Sequence, residues 1–182
     1  QISRDTSWAL QADGTYAQCM ESTPGFDNTA EGYTLWLNMV NPAKLDIVIN
    51  EVMTANFSTV TNAAGYLCDW VELKNVGSSP ADLSGCYLSD DPDDRSLFRI
   101  ENLILQPGDT ALILCSGAEA APGEASFSMK KSGCTLMLTG PAGNILTQLE
   151  VPALEDDRSW ALNPDGTYAA TRGYYLHELV EK

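Results

Sequence analysis

Most of this chain is built on a two-residue alternation of apolar and polar positions, interrupted by clusters of turn residues. In "LCDWVELKN", Leu67, Val71 and Leu73 point one way and Trp70, Glu72 and Lys74 the other, as a half-buried strand requires. "DIVINEVM" before it is rich in β-branched residues. "GCYLSD", "SLFRI", "TALILCS", "CTLMLT" and "NILTQLEV" follow as short apolar runs. Turn signals part them at Gly77–Pro80, Asp90–Asp94, Gln106–Asp109, Gly140–Asn144 and Asn163–Gly166. About nine short strands at this spacing predict an all-β fold, an antiparallel sandwich and not a parallel α/β sheet.

One stretch breaks the alternation. Tyr33, Trp36, Leu37 and Val40 fall at i, i+3, i+4 and i+7, the stripe of a short amphipathic helix. Asn28 with Glu31 three residues on has capping spacing, Gly32 weakens the first turn, and Asn41-Pro42 ends the run.

The chain also repeats itself. "SWALQADGTYA" (Ser7–Ala17) returns as "SWALNPDGTYA" (Ser159–Ala169), differing only at Gln11/Asn163 and Ala12/Pro164. Asn-Pro-Asp-Gly is tight-turn chemistry, with Gly166 at the position that needs positive φ, so each copy reads as a β-hairpin. The copies stand about 150 residues apart, one domain length and not a solenoid period. The expected organisation is residues 1–27 as the closing hairpin of a preceding repeat domain and 28–45 as a linker with the helix. Residues 46–171 would then form the sandwich, and 172–182 a tail. The helix needs cover for its apolar face, so the first hairpin is expected to dock on the intact domain through it. Strand-swapped self-association is the alternative.

Composition narrows the functional classes. The chain has 182 residues, is 44% hydrophobic and can bury one sizeable core. Ten Lys+Arg against 25 Asp+Glu give a formal charge of −15, which repels phosphate backbones and argues against a nucleic-acid partner. No apolar run is long enough to insert in a membrane, and Gln1 opens no basic, apolar leader. The five cysteines form no CxxC pair; they read as small buried hydrophobes, with a Cys115–Cys134 bridge as the alternative.

Candidate chemistry is sparse. Asp90, Asp91, Asp93 and Asp94 put four carboxylates in one Pro-bearing loop, oxygen ligands of the kind calcium takes, though without EF-hand spacing. Read as a solvated turn, the loop needs no ion and the chain no cofactor. Glu155-Asp156-Asp157 is a weaker version. The single histidine, His177, lies in the tail, which leaves little for nucleophilic catalysis. Glu51 and Glu72 lie on strand-like segments and can face each other, but a structural role is the expectation. Trp70, Tyr66 and Tyr87 are the aromatics that, if exposed, would stack on sugars or partner side chains, though for Trp70 the expectation is burial under a loop or against the linker helix.

In order, Ile49-Asn50-Glu51-Val52, Asp69–Asn75, "ADLSGCYLSDD", "LQPGDTALILCSG", "GCTLMLTGPAGN" and "SWALNPDGT" resemble the lamin tail domain in its bacterial form, over about Asp46 to Thr171. The segment "TPGFDNTAEGY" is similar to the linker that follows such domains in tandem arrays. The resemblance implies an immunoglobulin-like sandwich without catalytic residues of its own. It also implies a protein-interaction or spacer role in an exported, secreted or cell-surface bacterial protein, often beside a hydrolase or kinase-like domain. In animals the family forms the tails of nuclear lamins, which bind proteins and in places DNA; the acidic charge speaks against that last property here. The alternative reading is a glycan- or calcium-dependent adhesion module using the aromatics and the acidic loop. Cys86 departs from the family pattern, which has an aromatic, usually Trp, after the glycine. The smaller side chain is expected to loosen the core unless Trp36 or Tyr87 fills the space.

Overall fold

The computed structural model describes residues 6–19, 23–33, 36 and 45–172. Leu37 and Val40 of the expected helix stripe, and the tail with His177, lie outside the described residues. The chain divides into two compact units, Gln1–Lys44 and Leu45–Lys182.

In the first unit β1 (Ser7–Leu10) and β2 (Tyr16–Cys19) form a two-stranded antiparallel hairpin. Gly14 takes φ 81° in its turn, and Gln11 N–H donates to the Thr15 carbonyl at 2.7 Å. Ala30 to Tyr33 is helical, as is Trp36, and the rings of Tyr33 and Trp36 stack with centroids 5.8 Å apart. The expected cap at Asn28 is displaced by one residue. Thr29 caps the helix, its Oγ1 accepting from Gly32 N–H at 3.0 Å. Asn28 instead ties the linker to the hairpin, donating to the Leu10 carbonyl at 3.1 Å. Gly32 has a positive reason to be glycine: a Cβ there would lie 1.9 Å from the Asp27 carbonyl oxygen.

The second unit is a sandwich of antiparallel strands. Its strands are β3 (Ile47–Met53), β4 (Asp69–Asn75), β5 (Ala81–Asp82), β6 (Tyr87–Ser89), β7 (Phe98–Arg99), β8 (Ile104–Leu105), β9 (Thr110–Cys115), β10 (Cys134–Thr139), β11 (Ile145–Val151), β12 (Arg158–Leu162) and β13 (Tyr168–Arg172). One sheet has the order β13-β12-β3-β4-β9, the other β11-β10-β6-β7, and β5 pairs with β8 apart from both. The excess over nine strands is the two-residue pair β5 and β8, too short to leave an alternation in the sequence. Ile49, Val71, Leu73 and Ile113 from the first sheet meet Leu88, Leu136, Leu138 and Val151 from the second in one core. Cys86 is part of that core and almost wholly buried. Tyr87 beside it is half-buried.

A bulge at Asn50 decides which β3 side chains enter this core. Ile49 pairs with Leu73 but Glu51 pairs with Glu72, so one extra residue is accommodated between them. Ile47, Ile49 and then Val52 face inward, which turns Glu51 and Met53 to the outer face with Trp70 and Glu72.

Candidate functional site

The outer face of β3 and β4 is roofed by the connection between them, residues 54–68. Thr59 Oγ1 lies 3.4 Å from the sulfur of Met53, and Trp70, the cross-strand partner of Met53, is only 1% exposed. Two buried asparagines hold this long connection in shape. Asn56 Nδ2 donates to the carbonyls of Val60 and Cys68, at 2.5 and 2.8 Å, while its Oδ1 accepts from Thr59 N–H at 2.9 Å. Asn62 Oδ1 accepts from Ala64 and Tyr66 N–H, both at 3.0 Å, and its amide reaches the Glu119 carbonyl and the Glu124 carboxylate, each at 3.3 Å. A third anchor comes from Asp157, about a hundred residues on, which accepts from Phe57 N–H at 2.7 Å, Ser58 N–H at 2.9 Å and Ser58 Oγ at 2.8 Å. These bonds, the Phe57 amide first, hold the Asp157 carboxyl below its usual range. With its backbone pinned, the loop presents Phe57, 62% exposed, and Tyr66, 52% exposed, together with Leu67. Large apolar groups on a fixed backbone are a pre-ordered contact surface, since little entropy remains to be lost on binding.

The titratable groups beneath are sealed in. Glu51 and Glu72 stand directly opposite each other, as the sequence suggests, and both are buried. Glu51 accepts from Ser159 Oγ and Glu72 from Asn50 Nδ2, the latter at 2.5 Å. Burial raises the Glu51 carboxyl above its usual range, and the Glu72 charge adds to it. Asp69 is pushed up to about 6 by burial, against a 2.8 Å hydrogen bond from Met129 N–H. All five cysteines are free. Burial pushes Cys134 up to about 12 and Cys115 well above the ordinary thiol, which keeps both protonated and unreactive at neutral pH.

The acidic loop folds onto itself. Asp91 Oδ1 accepts from Asp93 N–H at 2.9 Å, and Asp94 Oδ1 accepts from Ser96 N–H at 3.0 Å and Ser96 Oγ at 2.7 Å. Ser89 Oγ closes the loop, donating to the Asp94 carbonyl at 2.5 Å. Asp93 is exposed, whereas Asp90 is half-buried and its carboxyl is raised, chiefly by burial. No group of three or more His, Cys, Asp or Glu side chains among the described residues is placed to hold a metal ion. Of the Asp90, Asp91, Asp93 and Asp94 carboxylates, those of Asp91 and Asp94 are thus engaged by amides and a hydroxyl of their own turn. In the second acidic run, Glu155 pairs with Arg158 at 2.9 Å, Asp156 with Lys131, and Asp157 anchors the loop.

Of the three aromatics singled out from the sequence, Tyr66 alone is strongly exposed. Trp70 is on the predicted face and, as expected, almost wholly buried, beside the Met53 that Thr59 of the 54–68 loop touches. Phe57 escapes the alternation test because it lies in a connection, and Leu67, expected on the inward face with Val71 and Leu73, instead precedes β4 in that connection and is exposed. The available signal is "TANFSTVTNAAGY", where Asn, Ser and Thr recur as in segments whose side chains bond their own backbone. Among the described residues no helix is long and apolar enough to cross a membrane.

Two facing antiparallel sheets with short edge pairings make this an all-β protein of the immunoglobulin-like sandwich class. The family model for the Lamin Tail Domain matches residues 41–153, well over half the chain, and the protein belongs to that family. No curated protein and no solved structure matches it. The match ends before β12 and β13, so the closing hairpin that completes the larger sheet lies beyond the matched residues.

Proposed function

We propose that the chain is a non-catalytic interaction module of an exported or cell-surface bacterial protein, and that it meets a protein partner through the 54–68 loop. The observation that carries this reading is the contrast within the loop: the side chains of Asn56 and Asn62 are spent in holding the backbone, while Phe57, Tyr66 and Leu67 are offered to solvent. Membership of the lamin tail family supports an interaction role. The buried Glu51–Glu72 pair and the unreactive thiols support the non-catalytic part.

Partner capture from the cell-envelope fraction of the source organism, quantified against a Phe57→Ala/Tyr66→Ala variant, tests it. The wild type is expected to retain a protein that the variant loses, with the variant's Tm within about 2 °C of wild type because both side chains are exposed. Equal capture by both would remove the loop from the interaction. A turnover abolished by Glu72→Gln would overturn the non-catalytic reading.

A further inference from the structure

The two copies of the repeated segment adopt one geometry and differ in what they touch. Ser7 pairs with Cys19, Trp8 with Gln18, Ala9 with Ala17 and Leu10 with Tyr16; Ser159 to Leu162 pair in the same register with Thr171 to Tyr168. The turns share their backbone bonds and their Asp–Thr bonds. Thr15 N–H donates to Asp13 Oδ1 at 2.9 Å and Thr167 N–H to Asp165 Oδ1 at 2.9 Å.

Strand β12, however, lies between β13 and β3, whereas among the described residues β1 pairs with β2 alone. Four residues of the second copy seat it on β3. Trp160 and Ala161 pair with Val52 and Glu51, Ser159 Oγ donates to Glu51, and Tyr168 OH donates to the Ile49 carbonyl at 2.5 Å. The first copy carries the same groups as Ser7, Trp8, Ala9 and Tyr16. Where Trp160 and Tyr168 pack against the core, Trp8 is 56% exposed and Tyr16 59%. An open strand edge flanked by a bare Trp and Tyr is half of an interface.

We propose that the Ser7–Cys19 hairpin is a strand-addition element whose acceptor is the β3 edge of a second copy of this chain, taken in exchange for that copy's β12–β13 hairpin. The occupant is specified by the β12 contacts: a strand presenting a carbonyl to Tyr16, a carboxylate to Ser7 and an apolar surface to Trp8. β3 supplies all three. Exchange replaces like contacts with like. One difference favours the resident hairpin, because Ser159 Oγ has the Thr171 hydroxyl at 2.5 Å while Cys19 at the matching position has none to offer. The closed monomer therefore holds at low concentration, and the exchanged form appears when the resident hairpin is weakened or the chain is concentrated. The inference is independent of the role assigned to the 54–68 loop.

The test uses the full chain in reducing buffer, so that no disulfide joins the copies. Trp160→Ala/Tyr168→Ala weakens the resident hairpin. Light scattering is expected to show a dimer, with a Tm that climbs several degrees over about a hundredfold rise in protein concentration. Adding Trp8→Ala/Tyr16→Ala should return the chain to monomer and abolish that climb. A weakened chain that stays monomeric at every concentration, or a dimer indifferent to Trp8→Ala/Tyr16→Ala, overturns the proposal. Should the first pair unfold, Ser159→Ala/Tyr168→Phe removes only hydroxyls and is read by the same two measurements.

Discussion

At Asp69, burial and a backbone hydrogen bond pull in opposite directions, and burial wins. Its folded value of about 6 lies above the ordinary 3.8, so the folded state favours the protonated form. The stability this group contributes is complete below pH 3.8 and is lost as pH rises through about 6. Asp69→Asn keeps an oxygen for the Met129 amide and removes the titration. It should flatten the pH–stability profile over that window and raise stability at pH 7 by about 1–2 kcal/mol, a figure already reduced for partial exposure. Denaturant midpoints from pH 4 to 8 check it. Glu51 has the same sign, whereas Asp157, held low by the Phe57 and Ser58 amides, acts the other way and loses its contribution only as pH falls below the ordinary Asp range. In acid the 54–68 loop should therefore loosen before the sandwich does, with hydrogen exchange at Phe57 and Ser58 rising first. Gly133 gives a backbone prediction. Its φ is +107°, and a Cβ would stand 2.8 Å from the Val151 carbonyl oxygen, so Gly133→Ala is expected to cost about 1–3 kcal/mol in thermal or chemical denaturation.

Among the elements, the β12–β13 hairpin has the most sharply assigned contacts. Tyr168→Phe deletes one bond to the Ile49 carbonyl and no volume, which predicts a loss of about 1 kcal/mol by chemical denaturation. This hairpin was legible in the sequence, because Asn-Pro-Asp-Gly between apolar runs admits few backbone paths. β4 was legible for a different reason: Leu73 and Glu72 report opposite faces by simple alternation. The bulge in β3 was not. Asn50 is polar in a run of β-branched residues, and nothing local says that it is skipped in the register, since that depends on Glu72 across the sheet. The burial of Trp70 was the expectation for so large a ring, but the shape of the loop that reaches over its partner Met53 was not legible, since it depends on Asn56, Asn62 and the distant Asp157. The candidate site was thus legible only at Tyr66, and the cap at Thr29 lay one residue from the expected one.

For the molecule as a whole, the formal charge of −15 is met among the described residues by three ion pairs, all at the surface. Such pairs contribute little, and the remaining carboxylates repel one another. Raising sodium chloride from about 0.05 to about 0.5 M should raise the Tm, because the Debye length falls from over 10 Å to a few ångströms. Duplex DNA added at low salt should leave the Tm unmoved. The order of the larger sheet has one more consequence. β12 is antiparallel to both of its neighbours, so β3 and β13 run the same way on its two sides. Tension applied between the Leu45 side and the Arg172 side draws β3 and β13 in opposite directions along β12. Its bonds are then loaded together in shear instead of being opened one after another, which makes the closing hairpin the seam that carries force through this module.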